Sequence, residues 1–135
     1  MTKLVIIFQK KLFKFLKKKK LLNKKILIIG ITFKENVPDI RNSQSIKIIN
    51  SLIENGFKVS TFDLIKNINI KKVNYKKNFN MLNKYQNYFS GILILVSHDV
   101  IKQKGYVYYK KLLTKNSVFF DIKNIFDKES VDFKL

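Results

Sequence analysis

Apolar residues along this chain fall into two patterns, short unbroken runs and sets spaced three or four apart. The unbroken runs are Ile26 to Ile29, which stops at Gly30, and Ile92 to Val96 within YFSGILILVS (88–97). SVFFDI (117–122) carries a third. A run that is apolar on both faces suits a strand in a parallel sheet covered by helices. FKVSTFD (57–63) alternates in part and is expected as a further strand ending on Asp63. The spaced sets predict helices. Leu4, Val5, Phe8, Leu12, Phe15 and Leu16 form an apolar stripe within Met1 to Leu22, with lysine filling much of the rest and Lys17 to Lys20 as a solvated end. The stripe is expected to pack on a neighbouring domain or subunit, ahead of the alternative of a membrane-surface helix. Ile46, Ile48, Ile49, Leu52 and Ile53 form another, with Asn42 and Ser43 as suitable N-caps and Gly56 as a suitable residue just past the end. Tyr106 to Leu113 reads as a third helix. Leu64 to Gln86 is rich in Asn and Lys and lacks strong periodicity, so a surface loop plus an irregular helix is expected there. Phe126 to Leu135 reads as a polar tail. The alternation predicts an α/β fold: a small Rossmann-like parallel sheet with helices on both faces, preceded by an N-terminal amphipathic helix. Residues 1–22 form the helix and 23–135 the domain.

The composition narrows what such a domain does. A chain of 135 residues with 46% hydrophobic and 13% aromatic content is one folded domain. It has no cysteine, which excludes a disulfide framework, a thiolate zinc site and a Cys nucleophile, and which fits a reducing cytoplasm. A single histidine, His98, cannot build a His-based metal site, and no metal is expected. No apolar run approaches the roughly 18 residues of a membrane span. A signal peptide is not expected either: the apolar block Leu4 to Phe8 is too short, and no small-residue cleavage site follows it.

The net charge of +19 invites a nucleic-acid reading. Its make-up argues otherwise. Arg41 is the only arginine among 28 basic residues, while Ile, Asn and Phe abound and Ala and Trp are absent. Lys, Ile, Asn and Phe codons are AT-rich, so coding bias accounts for the skew. A groove built for nucleic acid would be expected to use the arginine fork. No specific nucleic-acid partner is expected, although the charge raises non-specific affinity for polyanions.

The candidate chemistry lies in KILIIGITFKENVPDIRNS (25–43), which reads strand, polar loop, helix. From the residues alone this is a loop able to hold an anion. Lys34 is its natural ligand for a phosphate or a sugar hydroxyl, Phe33 offers an apolar wall, and Asp39 is placed to orient Lys34 or Arg41. Asp39 and Asn36 also suit a plain turn. Asp63 reads as a strand-end turn residue, because the G-x-G-x-x-G turn of a dinucleotide site is missing. His98 beside Asp99 could be a general base, but with no nucleophile at hand a structural role at the strand's edge is expected. Thr32 to Arg41, Ser97 to Asp99 and Lys123 all fall at the C-terminal ends of the expected strands.

The pattern G-[LIV]-T-F-K-x-N-x-x-D-x-R-N-S resembles the opening of the C-terminal, nucleotide-sugar-binding domain of the UDP-glucose/GDP-mannose dehydrogenase family. ENVPDIRNS (35–43) is most similar to members that oxidise UDP-N-acetylhexosamines at C6. The resemblance implies that Thr32, Phe33, Lys34, Asn36 and Lys123 serve the UDP-sugar, and that Arg41 reaches an NAD bound on another domain. It gives Asp39, Ser43 and His98 orienting roles. Asp121-Ile122-Lys123 resembles the family's D-x-R or D-x-K step. Where the family has an acid followed by proline, this chain has Asp63-Leu64. Met1 to Val5 looks like the later part of the helix that joins the central dimerisation region to this domain. The chain is therefore expected to be a truncated or split form, without the NAD domain and catalytic cysteine, and inactive alone. The family makes uronic acids for surface polysaccharides in two NAD-dependent steps. The expected partners are a UDP-sugar, a separate chain carrying the missing domains, and a second copy through residues 1–22. A non-catalytic nucleotide or polyanion binder and a basic nucleic-acid-binding protein are the alternatives.

Overall fold

A computed structural model describes residues 3–30, 44–62, 74–76, 82–95, 99–121 and 133–134. Helix α1 (Lys3–Lys18) leads into β1 (Lys25–Ile29), α2 (Gln44–Glu54) and β2 (Lys58–Phe62). Then come β3 (Asn74–Lys76), β4 (Phe89–Ile94), α3 (Asp99–Lys104), α4 (Tyr106–Lys110), β5 (Leu113–Asp121) and β6 (Phe133–Lys134). The strands form one six-stranded sheet in the order β3-β2-β1-β4-β5-β6, and every pairing is parallel. This is the doubly wound order that the sequence pattern predicts.

Strand periodicity sorts the core into two layers. Ile26 and Ile28 point to one face, where Leu12 and Leu16 of α1 and Ile48, Ile49 and Leu52 of α2 cover them. Leu27 and Ile29 point to the other, against Leu82, Ile101 of α3 and Tyr109 of α4. All of β4 is buried, as a central strand with helices on both sides must be. Gly91 sits where β4 passes between β1 and β5. A Cβ there would lie 2.6 Å from Ile26 Cδ1 and 3.1 Å from Val118 Cγ2, so any larger residue would displace the side chains of Ile26 and Val118.

The α2 C-terminus is a Schellman cap on Gly56, as the sequence predicts. Gly56 has φ 86, its N–H donates to Ile53 O at 3.0 Å, and the Phe57 N–H donates to Leu52 O at 3.0 Å. Asn23 clasps the start of the sheet. Its N–H donates to Ser90 Oγ (3.1 Å), its Nδ2 to Tyr88 O (3.0 Å), and its Oδ1 accepts the Lys25 N–H (2.8 Å). These three bonds tie the entry of β1 to the entry of β4.

Several expectations need correction. The stripe on α1, expected to pack on a neighbouring domain or subunit, is covered in its described part by this chain's own sheet: Leu12 is fully buried and Phe15 meets Phe120 edge-on at 5.4 Å. The segment expected as loop and irregular helix contains β3, and the polar tail contains β6. Both are edge strands of two or three residues held by backbone pairing, too short to show a period. The helix expected over Tyr106 to Leu113 ends at Lys110, and Leu112 and Leu113 turn into the core. A further turn of helix, α3, precedes it. Strand β5 starts earlier than expected: Leu113 already pairs with Phe89, and an irregularity in register separates that pair from the run that begins at Gly91 and Val118. Asn116, at φ 51, lies in the unpaired stretch between Leu113 and Val118.

Candidate functional site

In a sheet of this order, the connection leaving β1 and the one leaving β4 pass to opposite faces. The crevice between the two strand ends is where such folds bind ligands. Here α2 follows β1 onto one face, and α3 and α4 follow β4 onto the other. The mouth of the crevice is fixed by backbone bonds. Leu95 N–H donates to Ile29 O at 2.9 Å, and Gly30 N–H donates to Phe62 O at 2.9 Å. Gly30 is buried with φ 85, a left-handed conformation that glycine adopts freely at the point where β1 ends.

Two polar side chains are held in the sheet near this edge. Asp121, the last residue of β5, is fully buried in register with Ile94 of β4. Thr61 of β2 is fully buried one residue before its strand ends, and its hydroxyl has no hydrogen-bond partner among the described residues. A buried hydroxyl without a partner costs about 1–3 kcal/mol. Its only advance sign is the polar Ser60-Thr61 pair inside FKVSTFD, which sequence reasoning passed over.

The predicted site residues lie outside the described residues. Thr32, Phe33, Lys34, Asn36, Asp39, Arg41 and Ser43 fall in 31–43, His98 in 96–98 and Lys123 in 122–132, as does Asp63 in 63–73. The described residues that flank those stretches in the chain are Gly30 and Gln44, Leu95 and Asp99, and Asp121. Asp99 is exposed in the first turn of α3, where a carboxylate complements the helix dipole. Among the described residues no group of His, Cys, Asp and Glu could hold a metal ion. Tyr109 donates to Ile101 O at 2.7 Å, and burial, then the neighbouring Tyr108, pushes its pKa well above the ordinary tyrosine value. That places it in the core, not at the crevice.

Residues 27–128 match the UDP-glucose/GDP-mannose dehydrogenase family, UDP binding domain. The chain belongs to this family. The match runs from β1 past Lys123 and so contains every predicted site residue. Among curated relatives, the chain is 28% identical over 112 residues to the UDP-N-acetyl-D-glucosamine 6-dehydrogenase of Pseudomonas aeruginosa, covering 82% of this chain and 26% of that protein. It is 32% identical over 111 residues to the UDP-N-acetyl-D-mannosamine dehydrogenase of Methanocaldococcus jannaschii, covering 78% and 24%. The fold matches the UDP-N-acetyl-mannosamine dehydrogenase Cap5O of S. aureus with a TM-score of 0.70 at 24% identity, over 96% of this chain and 29% of that one. A UDP-glucose dehydrogenase from Pyrobaculum islandicum gives 0.68 at 16% identity, over 96% and 28%. The chain spans about a quarter of the length of the curated relatives it matches.

Proposed function

We propose that this chain binds a UDP-sugar at the carboxyl edge of its sheet, in the crevice between β1 and β4. In this reading it supplies substrate binding to an NAD-dependent nucleotide-sugar 6-dehydrogenase. The observation that carries the reading is the coincidence of the family match with the doubly wound strand order, whose reversal falls between β1 and β4. A pyrophosphate needs cations and backbone N–H donors near a helix N-terminus. Lys34 supplies an ammonium group, Phe33 an apolar wall for the uridine or sugar, and Thr32 and Asn36 polar contacts. Lys123, two residues after the buried Asp121, adds a second cation, and Asp39, Ser43 and His98 orient the set.

The residues here fit a nucleotide sugar better than a dinucleotide. The turn after β1 reads G-I-T-F-K and lacks the glycines that let a backbone approach a dinucleotide pyrophosphate. In this reading NAD is held mainly by another domain, with Arg41 reaching it. The hydride acceptor is the cofactor's contribution, and this chain's part is to bind and orient the sugar. These 135 residues contain no cysteine, so in this reading the catalytic thiol, like the main cofactor site, is supplied from outside them. The complete enzyme would convert the C6 alcohol to a uronic acid for surface polysaccharide precursors, in the cytoplasm.

Calorimetric titration of the purified chain with UDP-N-acetylglucosamine tests the binding step. Saturable one-to-one binding is expected, weakened about tenfold or more by Lys34→Ala, since a hydrogen bond to a charged group contributes about 1.5–3 kcal/mol. No heat of binding from a folded chain, or binding indifferent to Lys34, would contradict the proposal.

A further inference from the structure

The opposite, amino edge of the sheet carries a feature that the nucleotide-sugar reading leaves unused. Between α1 and β1 the chain reads KKKKLLNKK (17–25), and Leu22 at its tip is 72% exposed. Lys17, Lys18, Lys20 and Lys24 around it are exposed as well. Lys17 and Lys18 complement the C-terminal dipole of α1. That accounts for neither Lys20 and Lys24 nor the bare leucine. The tip is presented by a fixed frame, because the next residue, Asn23, is bonded to Tyr88 and Ser90 of the sheet. Beside it runs a groove of about 470 Å³ whose walls mix Phe13, Leu21 and Phe57 with Lys17, Lys19 and Lys24.

We propose that this loop is a docking surface for an anionic lipid bilayer, with Leu22 entering the interface and the surrounding lysines meeting lipid phosphates. The chemistry favours a bilayer over a nucleic acid. An apolar tip ringed by ammonium groups matches the boundary between headgroup and acyl chain. A nucleic-acid backbone has no use for the leucine. The rings that could stack on bases already carry cations on one face: Lys24 over Phe57 at 5.8 Å and Lys25 over Tyr88 at 4.0 Å. The apolar stripe of α1 is not the lipid contact, because Leu12 and Leu16 are buried in the chain's own core. The loop lies at the amino edge and the proposed sugar site at the carboxyl edge, so lipid and sugar could bind together.

Sedimentation of the purified chain with vesicles tests this, using pure phosphatidylcholine and a mixture with phosphatidylglycerol. Binding to the anionic vesicles alone is expected, falling as salt is raised. Lys18→Gln/Lys20→Gln should weaken it about 25-fold, taking roughly fivefold per lysine near an anionic surface. Leu22→Ser should weaken it about tenfold through lost apolar burial. Lys102→Gln/Lys104→Gln, on α3 beyond the carboxyl end of β4, should leave it unchanged. The substituted residues are exposed, and unchanged thermal melting would show that each variant folds. Equal loss in the α3 variant would reduce the effect to diffuse net charge and overturn the proposal. Full binding by Leu22→Ser, or tighter binding to a single-stranded oligonucleotide than to anionic vesicles, would overturn it as well.

Discussion

The burial of α1 against the sheet makes a quantitative prediction for Leu12→Ala. Leu12 is fully buried, in the same cluster as Ile26, Ile28, Leu52 and Phe120. Truncating a core leucine to alanine costs about 2–5 kcal/mol, the lost transfer energy plus the cavity left behind. A domain's whole stability is about 5–15 kcal/mol, so this is a large fraction of it. With a urea slope of about 2 kcal/mol per molar, the unfolding midpoint should fall by roughly 1–2.5 M. Urea titration followed by far-UV circular dichroism measures it, with Leu22→Ala as the control. Leu22 is 72% exposed and should change stability by no more than about 0.5 kcal/mol. Had α1 been only a connector whose stripe belongs to another domain, Leu12→Ala would also fall within about 0.5 kcal/mol. That result would refute the packing described here.

Other substitutions probe the frame. Asn23→Ala removes the two side-chain hydrogen bonds, to Tyr88 O and from the Lys25 N–H, and keeps the backbone bond to Ser90; a loss of about 1–3 kcal/mol is expected in the same urea assay. Gly56→Val forces a β-branched residue to φ 86 and should cost about 1–2 kcal/mol, with the α2 cap weakened. The Tyr109 pKa is raised by burial, then by Tyr108, so the folded state favours the neutral phenol. That contribution is complete below the ordinary tyrosine value near 10 and is lost as pH rises above it. Stability should therefore fall above about pH 10 in the parent, and less steeply in Tyr109→Phe, as read by melting temperature against pH.

What was legible in the sequence follows the size of each element's apolar signal. Ile26 to Ile29 and Ile92 to Val96 announce central strands because both faces of each must be apolar. The Ile46 to Ile53 stripe and Gly56 announce a helix and its cap. From these the parallel doubly wound sheet follows. Asn74 to Lys76 and Phe133 to Lys134 gave no such signal, because backbone pairing makes an edge strand without a patterned face. The Tyr106 to Leu113 pattern extends past the helix, since a five-residue helix spans less than two turns and offers no period to distinguish its end from the core residues after it. The partner of the α1 stripe was not legible at all: amphipathicity says that a face is buried, not against what. The candidate loop was legible only as a motif. Lys34 and Arg41 are ordinary cations singly, and it is their contiguous setting after Gly30 that resembles the family's motif and underlies the proposed role.

Backbone amide NMR of the labelled chain during titration with UDP-N-acetylglucosamine tests the central claim most directly. The proposed site predicts shifts that saturate together at Gly30, Leu95 and Asp121, where β1, β4 and β5 end, while Asn23, Asn55 and Phe57 at the amino edge stay unmoved. Saturable shifts confined to the amino edge, or none at a concentration of nucleotide sugar well above that of the protein, would contradict it.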